Sequence, residues 1–396
     1  MQDSPSLTEY LILALCLCLG AISTALASPL YAIYVSQWQI STSEIGYAFI
    51  AYMFGVVFTL LFLNGWIGTY GYKRTVIRGL IASILGLGFS AFAADIWQLC
   101  AARFLIGISS GLLCTATVIG LAHKYPFAKR SQAGKLSSLI TVLGFGLGPI
   151  LGGLMADQLL EPLITPYLVI AALSTLVLIA CCFIQAPKPS KTTTKLSLWS
   201  TPQHRDDRRL FWVCSVMAAC CFAAFSLYAA LAGTFLKELP LQSSATLTGG
   251  AISLILLVSF LTQLSSKLLD EMTCLKLGGL CLVLGCLSLF LAQWTHQLIF
   301  LASSVLFMGI GHGYSLNPAY FFIGKLVEKQ HSGVLSSFLL IGYQGTIWPI
   351  LLSSIIIDYF NVLTSVAVFG ILIFILIAWV FIQLPQLKIQ PKKPIS

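Results

Sequence analysis

The amino-acid sequence predicts an all-α membrane protein with 12 transmembrane helices, arranged as two six-helix halves that repeat each other. Three observations carry this prediction. Hydrophobic residues make up 58% of the 396 residues and charged residues only 9%, whereas soluble domains are about a quarter charged. Apolar stretches of the roughly 20 residues that a spanning helix needs fill nearly the whole chain. They lack the alternating pattern of a membrane β-barrel, and a helix satisfies its own backbone groups in lipid.

The apolar stretches define the predicted spans. The first follows a short, slightly acidic start without a convincing cleavage site, so we expect a retained helix rather than a signal peptide. The predicted spans are residues 9–34, 45–66, 75–94, 98–121, 135–157, 163–184, 210–236, 246–266, 275–293, 298–323, 332–357 and 362–384.

The net charge of +9 indicates topology rather than nucleic-acid binding. Lys and Arg lie in every second loop and in the C-terminal tail, whereas the alternate loops contain only Lys237. Because cytoplasmic loops are enriched in Lys and Arg, this placement predicts that both termini are cytoplasmic. The expected location is the inner (cytoplasmic) membrane of a bacterium, with the lipid bilayer and not nucleic acid as the surroundings.

No motif predicts an enzyme or a cofactor. The twelve cysteines lie in or beside apolar stretches and form no CxxC or Cys/His cluster, which favours packing roles over disulfides or metal binding. The sequence contains no GxxxxGK[ST] phosphate loop, no HExxH motif and no catalytic constellation of paired carboxylates. We therefore expect no cofactor, no metal and no ATP-driven pump.

A polar, basic segment containing three prolines, residues 185–209, reads as a cytoplasmic linker. It separates an N-terminal bundle, 1–184, from a C-terminal bundle, 210–384, which a basic tail, 385–396, follows. The two bundles echo each other at an offset of about 200 residues, a plan that is common in secondary transporters. A duplicated structural scaffold is the alternative. The matching positions are Ser41 to Gly46 with Ser244 to Gly249, Gly107 and Gly111 with Gly309 and Gly313, and Pro149 with Pro349.

The strongest motif lies in the fifth span, where Gly144, Gly148, Pro149, Gly152 and Gly153 form the pattern GxxxGPxxGG. Glycines at this spacing let another helix approach closely, and the proline permits a soft point. The motif therefore predicts a gating interface on which one helix can rock. Ordinary packing of small residues is the alternative.

This motif resembles the signature of the drug:proton antiporter groups of the major facilitator superfamily, and twelve spans point to its twelve-helix branch. The resemblance implies two six-helix bundles around a central cavity that opens alternately to the two sides. The segment from Ala101 to Gly107 is similar to the fourth-span motif of that family, whose arginine is tied to proton coupling. Arg103 would then serve coupling or substrate binding. A charge inside the membrane costs at least ~2.5 kcal/mol, unless the side chain reaches the interface.

The loop after the second span matches the family pattern GxLxDRxGRR only in part. Gly71, Lys73 and Arg74 correspond to the pattern, whereas Gly68 stands at the aspartate position and Asn64 at the first glycine. In the family that aspartate helps to close the inner gate. The resemblance therefore implies an inner gate built from Gly71 and the basic pair, with a weaker or different lock. Topology-setting charge is the alternative for the basic pair.

The equivalent loop after the eighth span keeps Asp270, which we expect to shape the inner gate. Proton-coupled transporters generally need a titratable group inside the membrane, yet no Asp or Glu lies in the middle of any predicted span. The central titratable candidate is His312, as a proton or ligand partner. A neutral histidine bonded to a carbonyl or hydroxyl group is the alternative.

Other polar and aromatic residues are candidates for lining a central cavity, and helix packing is the alternative for each of them. The candidates are Tyr31, Tyr34, Tyr228, Gln263, Asn317, Tyr343 and Gln344. An arginine and a histidine in one cavity would favour neutral or anionic compounds.

Together these patterns predict a monomeric secondary transporter that exports small, partly hydrophobic compounds in exchange for protons. A dedicated carrier of one metabolite, such as a siderophore, amino acid or sugar-like compound moving in either direction, is the first alternative. A membrane enzyme or sensor is the second. It would need a polar catalytic cluster or a soluble output domain, and the sequence has neither.

Overall fold

A computed structural model of the protein describes residues 7–63, 66–126, 133–186, 200–240, 244–330 and 333–386. The loop residue Asn64, the centre of the predicted linker 185–209 and nearly all of the predicted tail 385–396 lie outside these residues. The described residues are helical along almost their whole length, and 12 helical segments are long and apolar enough to cross a membrane. The helices are α1 Leu7–Ala25, α2 Tyr31–Trp38, α3 Thr42–Phe58, α4 Trp66–Ala91, α5 Ile96–His123, α6 Ala133–Gln158, α7 Thr165–Cys182, α8 Arg205–Lys237, α9 Ala245–Ser265, α10 Glu271–Thr295, α11 Leu298–Gln330, α12 Gly333–Tyr359 and α13 Val362–Gln383.

The first predicted span is not one continuous helix. It consists of α1 and α2, which a 3₁₀ turn at Ser28–Leu30 separates. Pro29 lies in this turn and has no backbone N–H to donate to a helical carbonyl, which explains why the α-helix is interrupted here. The break falls within the 32 residues of the candidate span Leu7–Trp38.

Helix α4 begins earlier than the predicted third span and contains a break at Gly71. The backbone there adopts φ 79° and ψ 163°, a conformation that is readily accessible only to glycine. A short helical piece, Trp66 to Tyr70, therefore precedes the spanning part of the helix. The match of Gly71 to a glycine in the family pattern thus has a local conformational reason.

The described residues divide into two compact units. The first contains residues up to 186 together with Ser226–Leu257 and Ile350–Ser365. The second contains residues 200–225, Val258–Pro349 and the chain from Val366. The first unit thus includes α1 to α7 and also one end each of α8, α9, α12 and α13. The division into six-helix halves at residues 1–184 and 210–384 stays a prediction.

Candidate functional site

Arg103 is buried inside the first unit with hydrogen-bonding capacity to spare. It lies seven residues after the start of α5, about 10 Å along the helix, and its side chain is 1% exposed. Its Nη2 donates to the carbonyl oxygen of Thr24 at 3.0 Å, in the last turn of α1. Its Nε and Nη1 have no hydrogen-bond partner among the described residues. A guanidinium inside the unit therefore keeps free donors.

Tyrosines from three other helices surround this guanidinium. The Arg103 Cζ lies 5.1 Å from the centre of the Tyr52 ring, a cation–π distance. The hydroxyls of Tyr34 and Tyr167 lie 3.3 Å apart, and both groups interact electrostatically with the arginine. Tyr31 also lies near the guanidinium, and its hydroxyl has no hydrogen-bond partner among the described residues. We call these five residues the arginine–tyrosine cluster; the predicted site residues Arg103 and Tyr31 both belong to it.

The glycine motif of α6 faces two different helices. Gly144, Gly148 and Gly152 recur every fourth residue; the first two lie against α1 and Gly152 against Leu26, directly after it. A methyl group added to Gly144 would come within 2.6 Å of the Cys18 carbonyl oxygen. Gly153 instead lies against the Ala245 carbonyl at the start of α9. The motif therefore makes close helix contacts in the first unit, and its role in gating stays a prediction.

Two carboxylates in the first unit each accept hydrogen bonds from the start of another helix. Asp157, near the end of α6, accepts from the backbone N–H groups of Ala245 at 3.1 Å and Thr246 at 2.8 Å. Asp358, near the end of α12, accepts from Thr42 and Ser43, both at 2.8 Å. Helix N-termini have unsatisfied N–H groups and favour negative charge. We call these two interactions the carboxylate contacts.

The carboxylate contacts give a physical meaning to the sequence repeat. Ser41 Oγ accepts from the Glu44 N–H at 3.2 Å, and Ser244 Oγ accepts from the Leu247 N–H at 3.0 Å. In each helix start the serine therefore caps the third N–H, while the distant aspartate takes the first two. The helices also lie close together nearby: Gly249 contacts the Pro149 carbonyl, and Ser253 Oγ donates to the Gly146 carbonyl at 2.6 Å.

His312 lies in the second unit, where its ring nitrogen is satisfied. The Nδ1 atom lies 2.8 Å from Ser259 Oγ, which also accepts from Gln263 Nε2 at 3.2 Å. Because an amide nitrogen only donates, the serine's own proton is available for Nδ1 of a neutral imidazole. The ring is 7% exposed and lies 6.2 Å from the Phe225 ring. This geometry fits a neutral histidine that is bonded to a hydroxyl group.

The remaining predicted substrate residues have partners within their own unit. Asn317 and Gln344 belong to the second unit. Asn317 Nδ2 donates to Ser266 Oγ at 2.6 Å, next to the end of α9. Gln344 is exposed and accepts from Trp348 Nε1 at 2.8 Å, one turn along the same helix. Both side chains therefore have partners that fit packing or anchoring, and their roles in binding stay predictions.

Two of the predicted inner-gate residues, Lys73 and Asp270, bind the ends of helices. Lys73 Nζ donates to the carbonyl oxygen of Cys182 at 2.8 Å, a favourable place for a cation at the end of α7. Arg74 is exposed. Asp270 accepts from the Thr273 N–H at 2.9 Å and so caps its own helix, α10. These bonds to Thr273 hold the pKa of the Asp270 carboxyl below its usual value.

Comparison with known proteins decides the family. A family model described as the Major Facilitator Superfamily matches residues 13–349. The chain belongs to this superfamily. The match covers most of both predicted halves, so it confirms the resemblance drawn from the glycine motif and the Arg103 segment. It also confirms the fold class, an all-α protein with 12 candidate spans.

Individual relatives of this transporter are distant. PmrA, a multidrug resistance efflux pump of Streptococcus pneumoniae, is 28% identical over 175 residues, 42% of each chain. The transporter YuxJ of Bacillus subtilis, whose function is uncharacterised, is 27% identical over 144 residues, 34% of this chain and 36% of its own. The chain thus matches less than half the length of these relatives. The nucleoside transporter NupG superposes with a TM-score of 0.74 over 97% of this chain and 100% of its own, at 12% identity, and so supports the fold alone.

Several functional candidates in this superfamily transporter escaped sequence reasoning. Tyr52 and Tyr167 belong to the arginine–tyrosine cluster, and the carbonyl of Thr24 accepts a hydrogen bond from it; nothing in their local sequence predicts these contacts. Asp157 and Asp358 were recognisable only as carboxylates at span ends. A signal for them does exist, since they stand at the same offset of about 200 residues as the two serine-capped helix starts.

Proposed function

We propose that this transporter exports small amphipathic compounds across the inner membrane of a bacterium, coupled to inward proton flow, and that it works as a monomer with both termini in the cytoplasm. The observation that carries the proposal is Arg103, a charge held within a membrane span with free hydrogen-bond donors. Ionisable groups in such places mark substrate and ion pathways. The similarity to the efflux pump PmrA over 42% of the chain supports the outward direction.

In this mechanism the carboxylate contacts close one side of the transporter. The charge distribution predicts that the ends of α6 and α12 face outward, so the contacts of Asp157 and Asp358 hold the outer side shut. Breaking them, together with the close approach of Gly153 to Ala245, lets the outer ends separate. Exposed capping interactions of this kind contribute about 1 kcal/mol each, which suits contacts that must form and break in every cycle.

His312 is the proposed proton-binding group. It is a histidine within a candidate span, and imidazole exchanges protons near neutral pH. Its bond to Ser259 holds the ring in one orientation. Protonation would make Nδ1 a donor, which requires the serine hydroxyl to turn and accept. A change of protonation state therefore changes the hydrogen bonding between α11 and α9.

The test is transport of a mixed panel of compounds by the purified protein in liposomes, with and without an imposed pH gradient. We expect several unrelated amphipathic compounds to move, and to move faster when the gradient drives protons in the opposite direction. Movement that ignores the gradient would contradict proton coupling. Arg103→Gln in the same assay shows whether the buried arginine is required.

A dedicated metabolite carrier, working in either direction, is the second candidate. Two observations favour it: Gly68 replaces the gate aspartate of the family pattern, and no Asp or Glu lies in the middle of a predicted span. The same panel discriminates the two functions, because a dedicated carrier moves one metabolite and its near analogues, whereas the exporter moves compounds with unrelated skeletons.

A further inference from the structure

No carboxylate among the described residues neutralises the charge of the arginine–tyrosine cluster. Arg103 stays charged at any physiological pH, and its side chain is 1% exposed. Among the described residues it forms no ion pair with a carboxylate. Burying a charge without a charged partner is costly. One hydrogen bond to the Thr24 carbonyl and the Tyr52 ring offset only part of this penalty.

Three carboxylates of the first unit, Asp95, Asp157 and Asp358, are engaged elsewhere. Asp95, two turns before Arg103 on the same helix, accepts from the Gln98 N–H at 2.8 Å and from Gln98 Nε2 at 3.1 Å. Asp157 and Asp358 accept two backbone N–H groups each in the carboxylate contacts. A bound molecule can therefore supply the negative charge that would balance Arg103.

The free groups of the cluster are donors. Arg103 Nε and Nη1 have N–H groups without partners, and the Tyr31 hydroxyl is equally unpartnered among the described residues. Guanidinium cannot accept a hydrogen bond, so its ligand must offer acceptors. A carboxylate has two acceptor oxygens and forms charge-assisted hydrogen bonds with arginine. The adjoining tyrosine rings provide apolar surface for the remainder of such a molecule.

We propose that the arginine–tyrosine cluster binds a carboxylate group of the transported compound, so that the substrates are organic acids with an aromatic or apolar body. This inference rests on the proposed transport function and names its substrate class. Compounds with an amine in place of the carboxylate are excluded, because Arg103 repels them and no described acidic side chain pairs with the arginine to compensate.

The experiment uses three probes that share one aromatic body: naphthaleneacetate, naphthaleneacetamide and naphthylethylamine. Their affinities for the purified full-length protein are measured by calorimetry at neutral pH. We expect the carboxylate to bind at least about tenfold more tightly than the amide, as a charge-assisted hydrogen bond provides, and the amine not to bind. Arg103→Gln should abolish the difference between carboxylate and amide, and Arg103→Lys should keep part of it.

Two further variants test the role of the cluster independently of Arg103→Gln. Tyr31→Phe removes one donor without touching the charge and should reduce the carboxylate preference several-fold, even if Arg103→Gln fails to fold. Arg78→Gln is the matched control, because Arg78 also lies over a tyrosine ring, 3.9 Å from Tyr70, outside the cluster. It should leave the preference unchanged.

The outcomes separate the possibilities. Equal affinities for carboxylate and amide, tightest binding of the amine, or no binding of any probe would overturn the inference. An equal loss of all affinities in Arg103→Gln would do so too, because it indicates that Arg103 only supports the end of α1. Carboxylate-selective binding without movement of naphthaleneacetate into liposomes would instead contradict the proposed transport function and leave the site assignment standing.

Discussion

Arg103 and the two aspartates, Asp157 and Asp358, are charged residues of the same unit in opposite states. Each aspartate is exposed and accepts two backbone N–H groups. Arg103 is buried and has two nitrogens without partners among the described residues. A satisfied charge at a helix end holds the structure in one conformation, whereas an unsatisfied charge in the interior is available to a ligand. On this difference we propose a gating role for the aspartates and a binding role for the arginine.

The largest expected effect comes from removing the unsatisfied charge. Arg103→Gln should lower the initial rate of substrate movement in liposomes at least about tenfold, because each lost charge-assisted hydrogen bond is worth ~1.5–3 kcal/mol. Arg103→Lys should retain more activity, since it keeps the charge but not the planar fork. Arg78→Gln serves as the control. Unchanged transport in Arg103→Gln would contradict the binding role of the unsatisfied arginine.

The next largest effect should come from Gly153, whose close approach to Ala245 lies beside the Asp157 contact. Gly153→Ala would place a methyl group against the Ala245 carbonyl oxygen, and overpacking of this kind costs ~1–3 kcal/mol. We expect a lower melting temperature and faster amide exchange at the start of α9. Gly146→Ala on the same helix is the matched control, because a methyl group there meets no atom within 4 Å. Equal behaviour of the two variants would argue against a tight interface.

Replacing either satisfied aspartate should have a smaller effect, confined to the helix start that it binds. Asp157→Asn turns an amide donor toward one of two backbone N–H groups, so the contact loses a bond and its charge. Hydrogen exchange should quicken about five- to tenfold at Ala245 and Thr246, in keeping with a cap worth about 1 kcal/mol. Asp358→Asn should do the same at Thr42 and Ser43.

Asp95→Asn provides the comparison for these two variants, because Asp95 caps only its own helix. It should change exchange at the start of α5 and nowhere else. If Asp157→Asn and Asp358→Asn left exchange at α9 and α3 unaltered, the carboxylate contacts would not be holding those helix starts.

The smallest expected effect on binding concerns His312, which resembles the aspartates in being satisfied. His312→Gln should leave probe affinities within about twofold, because the ring already has Ser259 as its partner. The stimulation of transport by a pH gradient should disappear if the imidazole carries the proton. His204→Gln, at an exposed position, is the control. A persistent response to the gradient in His312→Gln would assign proton transfer to another group.

Most of the fold was predictable from the sequence because it depends on local properties. Apolar length identifies a spanning helix, and twelve such stretches correspond to the 12 candidate spans of the structure. The break at Pro29 and the positive φ at Gly71 also have local causes, although hydrophobic length alone predicts one continuous first span. The glycine motif identified the superfamily, which the match over residues 13–349 confirms.

The candidate site was predictable only in part. Arg103 and Tyr31 were recognised as polar residues in apolar spans, and the structure places both in one cluster. His312, Asn317 and Gln344 are further polar candidates in apolar spans, but they belong to the other unit and have partners of their own. Polarity within a span is visible in a sequence, but whether a polar group is already satisfied is not.

The sequence by itself therefore determined the number and approximate position of the membrane spans, the repeat, the family and the short list of polar candidates, because hydrophobic length, helix capping and glycine spacing act over a few residues. Only the tertiary structure decided which charges are paired. Arg103 meets Thr24 across 79 residues of chain, and Asp358 meets Thr42 across 316. Such contacts arise from the packing of whole helices, so no local pattern specifies them.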